Sequence, residues 1–307
     1  MTTHEKGKEK INHSEAKEAL LRSGYLIEAR IAKILEENGY YVEANAAYQD
    51  SVTGKSRELD VYALSGLLVS RDLDIIFPSL LIECINNPQP LVLLTKKPQT
   101  GFMFHEDMKL AGLPVKVLLK IKSDEWESLP EFLHMDKFLH FCKTPVATQF
   151  CSFSRSKDKW VALHEGNHFD AFQKICDATA YFQDKLFKNY QPEPNDLINI
   201  EFYYPVLIVQ GDLIEAKLSQ NSVSLRKAPH LVYRRTIIQG TEEESYNIDV
   251  ITEKFFPDYL KIIENEMNQT IKRMKRHKKE LYRSIKTISR LTKRLRTPEK
   301  IRKMMEF

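Results

Sequence analysis

Apolar positions near the start of the chain recur with the period of a helix. Leu20, Ile27, Ile31, Ile34 and Leu35 share one face through about Glu37, and "ENGY", with Gly39 near the C-cap, ends it. Gly24 interrupts the pattern, which predicts two helices, and Ser14 lacks the glutamate three residues on that would complete a capping box. The texture then changes. "YYVEANAAYQD" and "KSRELDVYAL" carry β-branched and aromatic residues and are joined by the turn-rich "DSVTGKS", which predicts a hairpin. "SLLIECIN" is a nearly continuous apolar run of the kind a buried strand makes, and after the Pro-bounded "NPQP" the segment "LVLLTKK" predicts another strand.

Residues 98–158 show no sustained period and are expected to form an inserted α/β region. Helical spacing returns at Phe169, Phe172, Ile175, Cys176, Thr179 and Phe182. "IEFYYPVLIVQGDLIEAKL" predicts two strands around the turn "QGD", and "HLVYRRTII" and "YNIDVIT" two more. After Pro257 a long helical pattern runs toward the C-terminus, with Met274, Leu281, Ile285, Ile288 and Leu295 forming an apolar stripe among Lys and Arg.

The 307 residues, 42% apolar and 29% charged, have the composition of a globular protein with one large domain or two smaller ones. The charged N-terminus lacks a signal-peptide core, and no apolar run is long enough to span a bilayer, so the chain is expected in the cytoplasm. Cys84, Cys142, Cys151 and Cys176 show no C-x-x-C pairing and read as reduced core or near-core thiols. Charge is unevenly placed. Residues 271–307 hold 15 Lys and Arg against 3 Glu, a local charge of +12, which leaves −8 on residues 1–270. Such a segment repels itself, so an anionic partner is expected. DNA or RNA backbone leads, held by Lys272, Arg273, Lys275, Arg276, Lys278 and Lys279 without sequence readout; a membrane surface or a protein partner would use the same residues.

Three carboxylates carry the candidate chemistry. Asp60 ends "RELD" on the second hairpin strand and Glu83 sits inside the apolar third strand, where a buried acid needs a partner or a metal. Adjacent strands can bring the two together as hard oxygen ligands for Mg²⁺ or Mn²⁺, with Glu28 on the preceding helix reaching the ion through water. An ordinary ion pair at Glu83 and a turn-capping Asp60 are the alternative.

From "SGYLIEARIAKILEENGYYVEANAAYQDSVTGKSRELDVYA" to "LLIECINNPQPLVLLTK", the chain resembles the restriction-endonuclease-like superfamily of PD-(D/E)xK nucleases over about residues 20–97. That resemblance implies a helix bearing a glutamate, then a hairpin ending in the E-x-D aspartate, then a strand carrying E-C-K. It assigns Asp60, Glu83 and the main-chain carbonyl of Cys84 to the metal, and Glu28 to the outer shell. The family lysine, two residues after the glutamate and so on the same strand face, is here Ile85. Lys96, Lys97 or Lys55 is expected to replace it; or Asn86, Asn87 or Gln89 orients the water; or the site is silent and the fold only binds.

Two further motifs are weaker. "HEGNH" puts His164, Glu165 and His168 in the H-E-x-x-H pattern of zinc proteases, but Gly166-Asn167 suits a buried helix poorly. "GDLIEAKL" offers Asp212, Glu215 and Lys217, too close together for two strands, and reads as a solvent-facing edge. There is no P-loop and no G-x-G-x-x-G.

The expectation is therefore an α/β protein whose central mixed sheet is flanked by helices, with a disordered stretch at 1–13, a restriction-endonuclease-like domain over 14–265 and a basic helical tail over 266–307. Its expected function is Mg²⁺- or Mn²⁺-dependent phosphodiester hydrolysis on DNA by Glu28, Asp60, Glu83 and a stand-in lysine such as Lys96. The alternative is a catalytically silent module that binds DNA or a protein partner through the tail.

Overall fold

The computed structural model describes residues 10–22, 25–50, 53–71, 73–96, 108–120, 124–163, 166–189, 192–193, 195–220, 222–239 and 242–295. Two helices open it, α1 (His13–Arg22) and α2 (Tyr25–Glu37). The capping box begins two residues before Ser14: Asn12 Oδ1 accepts from the Glu15 N–H at 2.9 Å and Glu15 Oε2 from the Asn12 N–H at 3.0 Å. Gly39, at φ +78°, takes the left-handed turn that lets the chain leave α2 for the sheet.

The hairpin follows as β1 (Tyr41–Gln49) and β2 (Ser56–Leu64), then β3 (Leu67–Leu68), β4 (Ile75–Ile85) and β5 (Leu91–Lys96). Next come β6 (Leu110–Leu113), β7 (Lys116–Lys120), β8 (Glu125–Ser128), the short helix α3 (Leu129–Phe132) and two 3-10 turns, Met135–Lys137 and His140–Cys142. β9 (Val146–Ser156) and β10 (Lys159–Leu163) lead into α4 (Gly166–Asn189). The remainder is β11 (Asn199–Val209), β12 (Leu213–Leu218), β13 (Val223–Lys227), β14 (His230–Gln239), β15 (Glu242–Thr252), α5 (Phe256–Arg276) and α6 (Lys278–Leu295).

The chain is α/β, with a large mixed sheet flanked by helices. Its strand order is β1-β2-β4-β11-β15-β14-β9-β5-β12-β13, with β3, β6 and β10 added at β4, β11 and β9. β1, β2 and β4 form an antiparallel meander; α4 then crosses over so that β11 lies parallel to β4. Thus the strands flanking "QGD" do not pair with each other. β11 follows β4, β12 follows β5, and both pairs stay parallel through a shared bend. Asn87 pins that bend by accepting the Gly211 N–H at 3.2 Å and donating to the Gln89 carbonyl at 2.7 Å. A Cβ on Gly211 would lie 2.6 Å from the Asn87 carbonyl oxygen, so this approach admits only glycine.

Both faces of the sheet are covered at its centre, which is why β4 reads as a nearly continuous apolar run. On one face Ile76, Leu80 and Ile82 pack with Ile27, Ile31 and Leu35 of α2 and with Tyr259, Ile263 and Met267 of α5. On the other, Leu207, Val209 and Val250 meet Phe172, Ile175 and Cys176 of α4. The stretch at 98–158 is not a separate insertion where it is described, because β6 pairs with β11 and β9 with both β5 and β14. Nor is the basic tail an appendage. Residue 266 falls inside α5, and Met274, Leu281, Ile285 and Ile288 are buried in the main core, across two helices broken at His277. Residues 296–307 lie outside the described residues.

Candidate active site

Asp60 and Glu83 meet because of strand register. Val61 pairs with Ile82 across the antiparallel β2 and β4, so the residues before and after them stand opposite each other on the face turned to α4. The Asp60 N–H donates to Glu83 Oε1 at 3.3 Å, and the Cys84 N–H donates to Asp60 Oδ2 at 2.7 Å. Alternation turns the Cys84 thiol to the other face, against the α2 and α5 core. All four cysteines are free thiols.

The partner of Glu83 comes from 91 residues further along the chain. Lys174 on α4 donates to both carboxylate oxygens, with Nζ at 2.9 Å from Oε2 and 3.1 Å from Oε1. Its side chain is 32% exposed, against 5% for that of Glu83. The Glu83 ammonium partner is therefore neither Lys96, which lies exposed on β5 opposite Val146, nor Lys55, which is exposed in the hairpin connection. Lys97 lies outside the described residues. Asn87 is committed to the bend at Gly211. Ile85 points to the same face as Glu83 and packs against the α4 core.

Electrostatics tie four groups together. Burial and the neighbouring Asp60 push the Glu83 carboxyl up to about 7, against the lowering pull of Lys174. Burial likewise raises Asp60, opposed by the Cys84 N–H and by Lys174. Glu28, half-buried in the first turn of α2, is raised by burial and by Asp60 and lowered by Lys174. Lys174 is raised by Glu83, Asp60 and Glu28, which outweigh its own desolvation. Ionised, the three carboxylates and one ammonium carry a net charge of −2, and all three acids resist ionisation. A divalent cation among hard oxygen donors reverses both conditions, so the donor set fits Mg²⁺ or Mn²⁺.

Neighbouring groups hold the frame. Arg30, two residues after Glu28, makes a two-pronged ion pair with Glu253 ahead of α5, one arm at 3.0 Å, and this clamps α2. Beside Lys174, Gln173 donates to Asp177 at 2.8 Å and accepts from Arg235 at 2.6 Å. The chain matches no protein-family model, no curated protein and no solved structure.

The other sequence candidates lie elsewhere. Glu215 is buried rather than solvent-facing: Thr95, Arg226 and Lys217 bind its carboxylate at 2.8, 2.6 and 3.1 Å. His164 and Glu165 lie outside the described residues, and His168 is buried in the first turn of α4. Of the six basic residues at 272–279, two serve the fold. Arg273 donates to the carbonyls of Leu133 and His134 and covers the Phe138 ring at 4.7 Å; Lys278 reaches Asp74 at 3.6 Å. Lys272, Lys275, Arg276 and Lys279 are exposed. Asp74 precedes β4 and Glu83 stands nine residues on, so roughly 30 Å of strand separates the α5–α6 junction from the carboxylates.

Lys174 did leave a trace in the sequence. Ala171, Lys174 and Ala178 share one helical stripe, and both alanines are buried, so a lone cation lies among small residues on a covered face.

Proposed function

We propose that the chain is a restriction-endonuclease-like, metal-dependent nuclease that hydrolyses phosphodiester bonds in DNA, with Lys174 in the place the family gives to the residue at Ile85. The observation that carries this reading is the two-pronged contact of Lys174 on Glu83, beside Asp60. The order helix, hairpin, strand, with Glu28, Asp60 and Glu83 on successive elements, supports it.

A bound Mg²⁺ or Mn²⁺ supplies a Lewis acid for the phosphoryl oxygen and lowers the pKa of coordinated water. Asp60 and Glu83 would hold it, and the Cys84 N–H, which donates to Asp60 Oδ2, would steady the Asp60 carboxylate. Glu28, near enough to feel the charges of Asp60 and Lys174, would serve as the outer-shell carboxylate. Lys174, held charged by the three acids, does not act as a base at neutral pH. It orients the attacking water and offsets the charge that gathers on the phosphoryl oxygens. An ammonium delivered by a packed helix meets that requirement as well as one on the strand itself.

The exposed cations at 272–279 would add sequence-independent phosphate contacts. Because they lie at the far end of β4, binding through them is separable from the site, and this keeps the binding-module reading as the second one.

The test is nicking of supercoiled DNA at low salt in Mg²⁺ or Mn²⁺. Wild type should cleave; Asp60→Ala, Glu83→Ala and Lys174→Met should each lose about 100-fold or more while staying folded. Cleavage that survives Lys174→Met, or a folded wild type inert toward duplex and single strands in both metals, sinks the proposal.

A further inference from the structure

The α5 face of the sheet carries a second polar cluster that phosphodiester hydrolysis does not use. His140 Nε2 lies 2.8 Å from Asp249 Oδ1, and His230 Nε2 lies 2.7 Å from the same oxygen. The candidate ligand atoms of the three residues all fall within 4.8 Å of one another, and their side chains are only 8%, 8% and 4% exposed. They come from the 3-10 turn at 140–142, the start of β14 and the middle of β15. Register explains the convergence. His230 pairs with Ile251 and Val232 with Asp249, so His230 and Asp249 are diagonal neighbours on one face of the β14–β15 ladder.

Two of the three ligands are oriented from behind. His140 Nδ1 is 2.9 Å from Glu266 Oε1 on α5, and the Tyr204 hydroxyl donates to the other Glu266 oxygen at 3.2 Å. The Tyr259 hydroxyl donates to Asp249 Oδ2 at 2.7 Å, which leaves Oδ1 for the two imidazoles. A carboxylate behind a histidine, with its ring nitrogen aimed at a shared point, is how proteins hold a metal-ligating imidazole. Two buried carboxylates also need two positive charges, and either two protons on the rings or one divalent cation between them can supply these. Two imidazoles and one carboxylate are the donors of zinc and its neighbours, not of magnesium.

We propose that His140, His230 and Asp249 bind one Zn²⁺ as a structural ion, tying the 140–142 turn to β14 and β15 beneath α5. This site shares no residue with the H-E-x-x-H stretch at 164–168. It lies on the opposite side of the sheet from Glu83 and Lys174. The three side chains are at most 8% exposed, so the ion would serve the fold.

The test uses the full chain, stripped with chelator and titrated with Zn²⁺, with metal content measured after desalting and Tm recorded. Wild type should retain about one equivalent, gain Tm with Zn²⁺, and show visible d–d bands with Co²⁺ in its place; millimolar Mg²⁺ should not compete. His230→Gln and Asp249→Asn should weaken Zn²⁺ binding at least roughly tenfold, whereas Asp60→Asn should leave it unchanged. A folded wild type that retains no zinc and gains no Tm overturns the proposal, whatever the variants do. So does zinc whose binding is lost with Asp60→Asn or kept in full by His230→Gln.

Discussion

Replacing Glu83 by glutamine isolates the charge of one buried carboxylate, and its consequence for stability follows from the surroundings of that group. In the metal-free chain the Glu83 carboxyl lies at about 7, raised from 4.5 by burial and by Asp60. The folded state therefore holds a proton that the unfolded state releases, and between these two values stability falls as pH rises. At about 1.4 kcal/mol per unit, the loss reaches at most about 3 kcal/mol by pH 8. The side chain is only 5% exposed, so solvent screens little of it. Glu83→Gln removes the titration, and the Asp60 contribution stays in both proteins. In chelator, the stability of the variant relative to wild type should thus climb by about 2 to 3 kcal/mol from pH 4.5 to pH 8 in urea melts. Mg²⁺ should narrow the gap by stabilising wild type alone, by about 2.7 kcal/mol at a hundredfold excess over Kd. A pH-independent difference would refute the environment assigned to Glu83, and equal stabilisation of both proteins by Mg²⁺ would refute its role as a ligand.

Four other outcomes are expected. Adding Ile85→Lys to the Lys174→Met variant returns an ammonium to the same strand face, so it should restore DNA cleavage at least tenfold over the single variant, measured at matched folded fractions. Reversing Lys272, Lys275, Arg276 and Lys279 to Glu should flatten the slope of log K against log salt for duplex binding by at least about 3 to 4, with cleavage at saturating DNA unchanged. Met274→Ala, at a position with no exposed surface, should cost about 2 to 5 kcal/mol in urea melts, where a solvated tail would lose nothing measurable. Asp74→Asn probes the far end of β4. Burial raises the Asp74 carboxyl, but Ser70, Tyr282, the Ile198 N–H and Lys278 together hold it below its ordinary value, so its stabilisation is present above about pH 4 and lost as pH falls further. The variant should be less stable than wild type at pH 7, with the gap closing in acid.

Elements with a local period were legible from the chain alone. α2, the β1–β2 hairpin, β4, β5 and α4 form where periodicity and turn residues place them, because the free energy that selects them comes from side chains a few positions apart. β13, whose five residues are all exposed, had no apolar alternation to announce it. The parallel run of β11 beside β4 was equally hidden, because the "QGD" turn has the composition of a hairpin while its partner strands lie more than a hundred residues away. Setting residues 266–307 apart as a basic tail went astray for a related reason: Lys and Arg dominate its composition, yet one apolar stripe suffices to bury two helices in the main core.

The sequence by itself determined that Glu83 needs a partner, since an acid inside an apolar strand is costly alone, and that Asp60, one strand back, could stand beside it. Only the tertiary structure decided which cation answers: Lys174, carried across the sheet face by a helix whose position depends on the packing of Phe172, Ile175 and Cys176. The same holds for His140, His230 and Asp249, which no spacing connects. Strand alternation and helix period act over a few residues, whereas the meeting of distant side chains is set by how whole elements bury their apolar faces, and that is a property of the folded chain.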